Sequence, residues 1–123
     1  MENHKLVVPQ HLNQYGYLFG GYMLQWVDEC AWIAATLDYP DCSFVTIGMD
    51  KVEFRESVKQ GTLLRIQATR VREGNTSVQY EAKAFRGMVE GEKSPLVFST
   101  NITFVNIDKQ GNKARLPRKK TDC

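Results

Sequence analysis

The chain divides into one long apolar segment and several segments that alternate between apolar and polar residues. The long apolar segment extends from about residue 21 to 37, and Pro40 prevents its continuation. Its apolar residues recur at the spacing of a helix, so this segment predicts a single long α-helix. A shorter apolar run over residues 5–9 predicts a first strand that ends at Pro9.

The rest of the chain predicts four long strands joined by short turns. In the first of them, over residues 44–55, the apolar positions change parity near Asp50, which indicates a β-bulge that bends the strand. Alternation resumes over residues 62–72, and residues 73–75 give a hairpin signal. The next strand carries Val78, Tyr80, Ala82 and Ala84 on one apolar face, and the last strand is predicted over residues 96–107. Short turns favour antiparallel pairing, and one helix against one face of such a sheet predicts a two-layer α+β domain.

The predicted helix is apolar on nearly every side. At about 100° per residue, one stripe is expected to face the sheet. This stripe consists of Met23, Trp26, Val27, Cys30, Ala34 and Leu37. The opposite side carries Asp28, with apolar neighbours at Leu24, Ala31, Trp32 and Ala35. A helix that is apolar all round is buried, so either the sheet wraps it or a second subunit covers it.

Asp28 is the unusual residue of this segment. A carboxylate in such surroundings is costly without a partner, so we expect Asp28 to be hydrogen-bonded or held in its neutral form. The helix alone is equally consistent with a structural carboxylate and with a catalytic one. Glu29 points elsewhere and is expected to be exposed or interfacial, whereas Cys30 is predicted to be a packed thiol and not a nucleophile.

Gly20 and Gly21 lie where the helix is predicted to begin. The first turn of a helix presents unpaired N–H groups and the positive end of the helix dipole. Glycine lets a ligand approach this backbone closely, and such a site can hold an oxyanion or a polarised carbonyl. The alternative is a tight turn into the helix, with no ligand involved.

Composition and charge narrow the functional classes. A chain of 123 residues suits one domain, and 42% hydrophobic with 24% charged residues is ordinary for a soluble protein. With no apolar leader and no stretch long enough to span a membrane, a cytoplasmic location is expected. Cys30, Cys42 and Cys123 form no C-x-x-C motif and are odd in number, which disfavours disulfides and a zinc site. The net charge of +2 is too small to indicate nucleic-acid binding.

Basic residues crowd the end of the chain. They are Lys109, Lys113, Arg115, Arg118, Lys119 and Lys120. We expect a solvated, flexible tail over about residues 109–123. The alternative is a site for an anionic ligand such as a phosphate.

A family resemblance is carried by the residues before and within the helix. They are Asn13, Gly16, Phe19, Gly20, Gly21 and Asp28. This motif, Asn-x-x-Gly-x-x-Phe-Gly-Gly with an aspartate seven residues later, resembles the acyl-CoA thioesterases of the hotdog-fold superfamily. The nearest types are the bacterial broad-range and vertebrate cytosolic acyl-CoA hydrolases, and the resemblance covers most of the chain. It implies an α+β hotdog fold over residues 1–123, with one long central helix wrapped by a curved five-stranded antiparallel sheet.

The resemblance also implies a reaction and the residues that perform it. The reaction is hydrolysis of acyl-CoA to a free carboxylic acid and CoA, with Asp28 as general base or nucleophile. The backbone N–H of Gly21 would polarise the thioester carbonyl, and Gly20 would support the turn. Asn13 would lie opposite Asp28 of a neighbouring subunit, so the minimal active unit is a homodimer, expected to assemble as a trimer of dimers. No metal, cofactor, nucleic acid or membrane partner is implied, since CoA is part of the substrate.

Substrate binding is implied at two places. Phe19 and Gly20 lie at the helix start, and the hairpin at residues 73–77 resembles a Gly-Arg-Ser-Ser loop that contacts CoA in the family. Asn75 replaces the arginine of that loop, while Thr76 and Ser77 keep the hydroxyl groups. The phosphate charge would then be met by Arg72 or by the basic tail.

Two other functional classes stay open. Hotdog dehydratases and hydratases need a histidine in the site, and the histidines of this chain, His4 and His11, both precede the helix. A non-catalytic domain that binds or senses acyl-CoA could keep the same fold, since fold alone does not give function. The presence of Asp28 favours the enzyme.

Overall fold

The computed structural model describes residues 1–87 and 94–117. The elements of this part of the chain are β1 (Glu2–Leu6), a 3-10 turn (Pro9–His11), α1 (Gly20–Asp38), β2 (Phe44–Phe54), β3 (Leu63–Glu73), β4 (Ser77–Arg86) and β5 (Leu96–Asn106). The five strands form one antiparallel sheet in the order β1-β3-β4-β5-β2. The predicted two-layer α+β architecture is therefore confirmed, with β1 and β2 at the edges.

Helix α1 packs on the sheet mainly against β3 and β4. Five of the six residues predicted for its core stripe are buried, but Leu37 is 68% exposed, so its assignment to the core was wrong. Ala31 and Ala35, predicted on the side opposite the sheet, are fully buried. The sheet thus covers a wider arc of the helix than a flat surface would, and the contact ends before the last helical turn.

Strand β2 is bent, as its sequence predicts. Its pairing with β5 shifts register between Thr46 and Gly48 and again between Asp50 and Glu53, which confirms a bulge near Asp50. The bent strand reaches α1 at two points that matter below. Thr46 contacts the middle of the helix, and the Phe54 ring lies against the helix start.

The first strand was predicted too late in the sequence. It was expected over residues 5–9, whereas β1 spans Glu2–Leu6 and pairs with β3. Pro9 has no N–H to donate to a ladder, and it begins the 3-10 turn instead. The pairing of β1 depends on backbone groups at the sheet edge, which its polar side chains do not reveal.

The beginning of the basic tail is hydrogen-bonded to the fold. The Ala114 N–H donates to the Asn106 carbonyl, and the Leu116 N–H donates to the Asn75 carbonyl, each at 2.8 Å. The tail thus passes beside the β3–β4 hairpin. Residues 118–123, which hold half of the basic residues predicted to form the tail, lie outside the described residues.

Two buried tyrosines fix the C-terminal end of α1 to the sheet. The Tyr80 hydroxyl donates to Asp38 Oδ2 at 2.5 Å. The Tyr39 hydroxyl donates to Glu73 and accepts a hydrogen bond from Arg70 at 2.9 Å. Burial, and then the bond to Glu73, raise the pKa of Tyr39 to about 12. Burial and the bond to Asp38 raise the pKa of Tyr80 as well.

Candidate active site

The start of α1 is formed by two glycines between two phenyl rings. Phe19 is the N-cap residue, and no side chain of the described residues caps the helix. A Cβ atom on Gly21 would lie 2.6 Å from Cε2 of Phe19, and one on Gly20 would lie 3.2 Å from Cζ of Phe54. A side chain at Gly21 would therefore displace the Phe19 ring, and one at Gly20 would crowd the Phe54 ring. The first N–H groups of the helix are left for a ligand or solvent.

A cavity of about 430 Å³ opens at this helix start. Asn13 and Gly20, two of the predicted site residues, line it together with the exposed side chains of Tyr15 and Tyr17. Its apolar wall consists of Leu18, Met23, Phe54 and Val58. The cavity combines a polar amide, a helix N-terminus and an apolar wall, which is the usual composition of a small-molecule site.

Asn13 shapes the loop that borders this cavity. Its Oδ1 accepts hydrogen bonds from the N–H groups of Tyr15 at 2.9 Å and Tyr17 at 3.1 Å. Its backbone carbonyl accepts from the N–H of Gly16, which has a φ of +84°. The asparagine is thus a turn-forming residue. Because these bonds use its oxygen, the Nδ2 amide is the group that could meet a substrate.

Asp28 is partly buried on the flank of α1 that faces β2. The Thr46 hydroxyl donates to Asp28 Oδ1 at 2.8 Å, which confirms the expected hydrogen bond to this carboxylate. Thr46 was missed by the sequence reasoning. The alternation of side chains along a strand could have indicated it. Thr46 lies two residues after the buried Phe44 and so points to the same side of β2.

Trp32 lies one helical turn after Asp28. Its Nε1–H donates to the Phe44 carbonyl at 3.2 Å, although 42% of the residue is exposed. The indole therefore fixes β2 to the helix next to the Asp28–Thr46 contact, and it leaves an apolar surface beside the carboxylate.

The predicted catalytic residues form two separate groups within one chain. Asp28 follows Gly21 by seven positions, which corresponds to about 10 Å along a helix. Asp28 is also absent from the described residues that line the cavity of Asn13 and Gly20. The carboxylate and the cavity at the helix start are therefore separate features of a single chain.

A third group lies at the β3–β4 hairpin. Arg72 and Ser77 line a cavity of about 200 Å³ there, together with Gly74, Gln79 and Thr103. The carbonyl of Thr76 accepts a hydrogen bond from the Asn106 N–H at 2.9 Å, so this residue is fixed to the end of β5. The structure thus brings Arg72 and Ser77 together at the hairpin turn. The tail also reaches this hairpin, where it pairs with Asn75.

Cys30 lies on the buried side of α1. Cys30 is fully buried, its thiol donates to the Ile66 carbonyl at 3.8 Å, and burial raises its pKa, which confirms a packed thiol. Over residues 1–87 and 94–117, no group of three or more His, Cys, Asp or Glu side chains is placed to hold a metal ion. In the same ranges, no helix has the length and apolarity needed to cross a membrane.

The chain matches one family over most of its length. The profile of the thioesterase superfamily matches residues 15–93, which include the helix start, Asp28 and the β3–β4 hairpin. The chain therefore belongs to the thioesterase superfamily.

Curated relatives give the activity of the family. An uncharacterised acyl-CoA thioester hydrolase of Zymomonas mobilis is 27% identical over 112 residues, covering 91% of this chain and 74% of the relative. Acyl-coenzyme A thioesterase 11 of Mus musculus is 31% identical over 101 residues, covering 82% of this chain but 17% of the mouse protein. The chain thus shares its family with proteins that are named as acyl-CoA thioesterases.

Solved structures give the fold. A hexameric hotdog-fold thioesterase of Campylobacter jejuni superposes with a TM-score of 0.82 at 30% identity, covering 94% of this chain and 88% of that one. An acyl-CoA hydrolase of Staphylococcus aureus, solved with butyryl-CoA and CoA, superposes with a TM-score of 0.85 at 27% identity, covering 95% and 71%. The hotdog fold predicted from the sequence is confirmed.

Proposed function

We propose that this chain hydrolyses acyl-CoA to a free carboxylic acid and CoA, with Asp28 as the general base or nucleophile. The observation that carries the proposal is a partly buried carboxylate, held by the Thr46 hydroxyl at 2.8 Å, in the central helix of a thioesterase-superfamily chain. As general base, Asp28 takes a proton from water while the water oxygen attacks the thioester carbonyl carbon. The C–S bond then breaks and CoA leaves. As nucleophile, a carboxylate oxygen of Asp28 would attack the thioester carbon, the C–S bond would break with release of CoA thiolate, and water would then hydrolyse the resulting anhydride to the free acid and the Asp28 carboxylate.

The helix start supplies the second part of the mechanism. The carbonyl oxygen gains negative charge during the attack, and the N–H of Gly21 at the positive end of α1 stabilises that charge. Support comes from the helix start, where no side chain of the described residues caps the first turn and the Tyr22 N–H donates to the Phe19 carbonyl at 3.0 Å. Phe19 and Gly20 border the thioester beside this donor.

The complete site requires two subunits. Asn13 and Gly21 of one protomer would face Asp28 and Thr46 of its partner. This arrangement is supported by the cavity of a single chain, because Asp28 is absent from the described residues that line it with Asn13 and Gly20. The minimal active unit is then a homodimer, and a trimer of dimers is the expected assembly. The Staphylococcus aureus hydrolase offers a parallel. Alanine variants solved for it replace an asparagine and an aspartate that are fifteen residues apart, as are Asn13 and Asp28.

CoA recognition is assigned to the third group. Arg72 would meet the phosphates, with hydroxyl groups from Thr76 and Ser77. The cavity shared by Arg72 and Ser77 supports this assignment, as does the hydrogen bond that brings the basic tail to Asn75.

The test is release of free thiol from a panel of acyl-CoAs of different lengths, beginning with butyryl-CoA. The Asp28→Asn variant keeps the shape of the side chain and removes its charge, and we expect kcat to fall at least about a hundredfold. The matched control is Glu29→Gln, which removes the adjacent exposed carboxylate that pairs with Lys5 at 3.6 Å. It should retain wild-type kcat.

Two other outcomes would contradict the proposed function or the proposed role of Asp28. A wild-type protein that binds CoA esters and hydrolyses none of them would be a binding or sensing domain. An Asp28→Asn variant with wild-type kcat would make this residue a structural carboxylate.

A further inference from the structure

His11 joins the loop that carries Asn13 to the start of the helix. Its Nδ1 accepts a hydrogen bond from the Val8 N–H at 3.1 Å. Its backbone carbonyl accepts another from the N–H of Phe19, the N-cap residue of α1, at 2.8 Å. One residue thus contacts both the chain that enters the loop and the chain that leaves it.

The imidazole also packs directly on the helix. Its ring meets the rings of Tyr22 and Trp26 edge-to-face, with centroid distances of 4.9 Å and 4.8 Å. These two residues lie in successive turns of α1, so the ring is held between the helix and the backbone of Val8. Edge-to-face aromatic contacts have a preferred geometry and resist rotation of the ring.

The loop closed by His11 contains the predicted active-site amide. Leu12 and Leu18 form an isolated bridge, and the Asn13 N–H donates to the Tyr17 carbonyl at 2.7 Å. Residues 12–18 therefore form a small closed loop, and the hydrogen bond between His11 and Phe19 lies at its base. A shift of this base would move Asn13 relative to the first N–H groups of the helix.

We propose that His11 is a positioning residue that keeps Asn13 and the start of α1 in reactive geometry, and that it does so through the acceptor nitrogen of its imidazole. This inference rests on the proposed roles of Asn13 and Gly21. A nitrogen that accepts the Val8 N–H must lack a proton, so the proton of the neutral ring is on Nε2. Protonation of Nδ1 replaces the acceptor with a donor facing the Val8 N–H, and the loop loses this attachment.

Two substitutions distinguish the role of the acceptor nitrogen from the role of the aromatic ring. His11→Asn places an amide oxygen near the position of Nδ1, where it can accept from the Val8 N–H and does not titrate. His11→Phe keeps an aromatic ring against Tyr22 and Trp26 but has no acceptor. The control is His4→Asn, which removes the exposed histidine of β1.

The first measurement is kcat and KM for butyryl-CoA. We expect His11→Phe to lower kcat/KM by about 10- to 100-fold, because a displaced catalytic group is costly. His11→Asn should stay within a few-fold of wild type, because its amide oxygen can accept the Val8 N–H. His4→Asn should match wild type. Wild-type kcat/KM in His11→Phe, or a loss in His11→Asn as large as that in His11→Phe, would overturn the inference.

The second measurement is hydrogen exchange at the Val8 amide, which needs no activity. Wild type and His11→Asn should protect this amide near neutral pH, and His11→Phe should exchange it at least about tenfold faster. A Val8 amide that is unprotected in wild type refutes the attachment itself. A wild type with no thioesterase activity would refute the proposed function and the positioning role with it. An active wild type whose His11→Phe variant is equally active would refute the positioning role alone.

Discussion

The Thr46 hydroxyl oxygen, which donates to Asp28, is the single atom whose removal should most affect activity. It fixes one carboxylate oxygen and leaves the other free to take a proton or attack a carbonyl carbon. A hydrogen bond to a charged group contributes about 1.5 to 3 kcal/mol. The threonine thus holds the carboxylate in one orientation while β2 supplies the rigid support.

We expect Thr46→Val to lower kcat for butyryl-CoA by about 10- to 100-fold, the equivalent of losing one hydrogen bond to a charged group. Valine keeps the branched shape, so the fold and the melting temperature should change little. Thr46→Ser keeps the hydroxyl and is the matched control, which should stay near wild type. Equal activity in all three proteins would show that the oriented carboxylate is not required.

At the scale of the element, α1 is held at its two ends by different means. Its start is packed between the rings of Phe19 and Phe54, and its end is held by tyrosine hydroxyls that donate to carboxylates of Asp38 and Glu73. A phenol must be neutral to donate. The far end of the helix therefore depends on pH in the alkaline range.

The free energy of unfolding should fall as the pH rises from about 10 to about 12. The pKa of Tyr39 is raised to about 12 in the folded protein, against an ordinary value near 10. The folded state thus favours the neutral phenol, and this contribution is complete below pH 10 and lost as the pH approaches 12. Its size is on the order of 2 to 3 kcal/mol.

Denaturant unfolding at a series of alkaline pH values measures this dependence. Tyr39→Phe should reduce the loss of stability between pH 10 and 12, after an initial cost of about 1 kcal/mol at neutral pH. Tyr15→Phe removes a hydroxyl from a 76% exposed residue and should leave the alkaline loss unchanged. An identical alkaline profile in wild type and Tyr39→Phe would contradict the prediction.

At the scale of the whole molecule, one group of exposed apolar residues lies on β2, the strand that carries Thr46 and borders the proposed second subunit. β2 is an edge strand, and four of its apolar residues are exposed in the single chain: Val45, Ile47, Val52 and Phe54. An edge strand with exposed apolar side chains is a ready site for pairing with another chain. Trp32 adds to the same surface next to Asp28.

A mixing experiment tests whether two subunits share each site. Asn13→Ala and Asp28→Asn should each be inactive alone, but a hybrid dimer of the two would contain one site with both residues intact. Equal amounts refolded together should recover about a quarter of wild-type activity, because half of the dimers are hybrids and each hybrid has one working site of two. Without refolding, the mixed variants should stay inactive.

Recovery depends on the two residues coming from different chains. If Asn13 and Asp28 acted within one subunit, no hybrid would contain an intact site, and the refolded mixture would stay inactive. An oligomeric mass measured on the same sample would show that the hybrids had formed.

The sequence by itself determined the elements, because helix and strand periodicity are local. The spacing of apolar residues was sufficient to predict the helix at about residues 21–37, the four long strands and the bend near Asp50. The motif from Asn13 to Asp28 was sufficient for the family. The prediction of β1 was wrong because that strand is polar and gives a weak apolar pattern. The prediction for Leu37 was wrong because the sheet does not cover the last turn of the helix.

Only the tertiary structure decided which elements meet. Tyr39 contacts Glu73, Tyr80 contacts Asp38, and Thr46 contacts Asp28, at sequence separations of 34, 42 and 18 residues. Periodicity gives the face on which a side chain lies, but the opposing residue depends on strand order, register and the bulges of β2. The contact of His11 with α1 is likewise invisible to periodicity, because a loop has none. The same reason applies to the cavity at the helix start, since periodicity does not predict that Asn13 and Gly20 line it with Phe54 of β2.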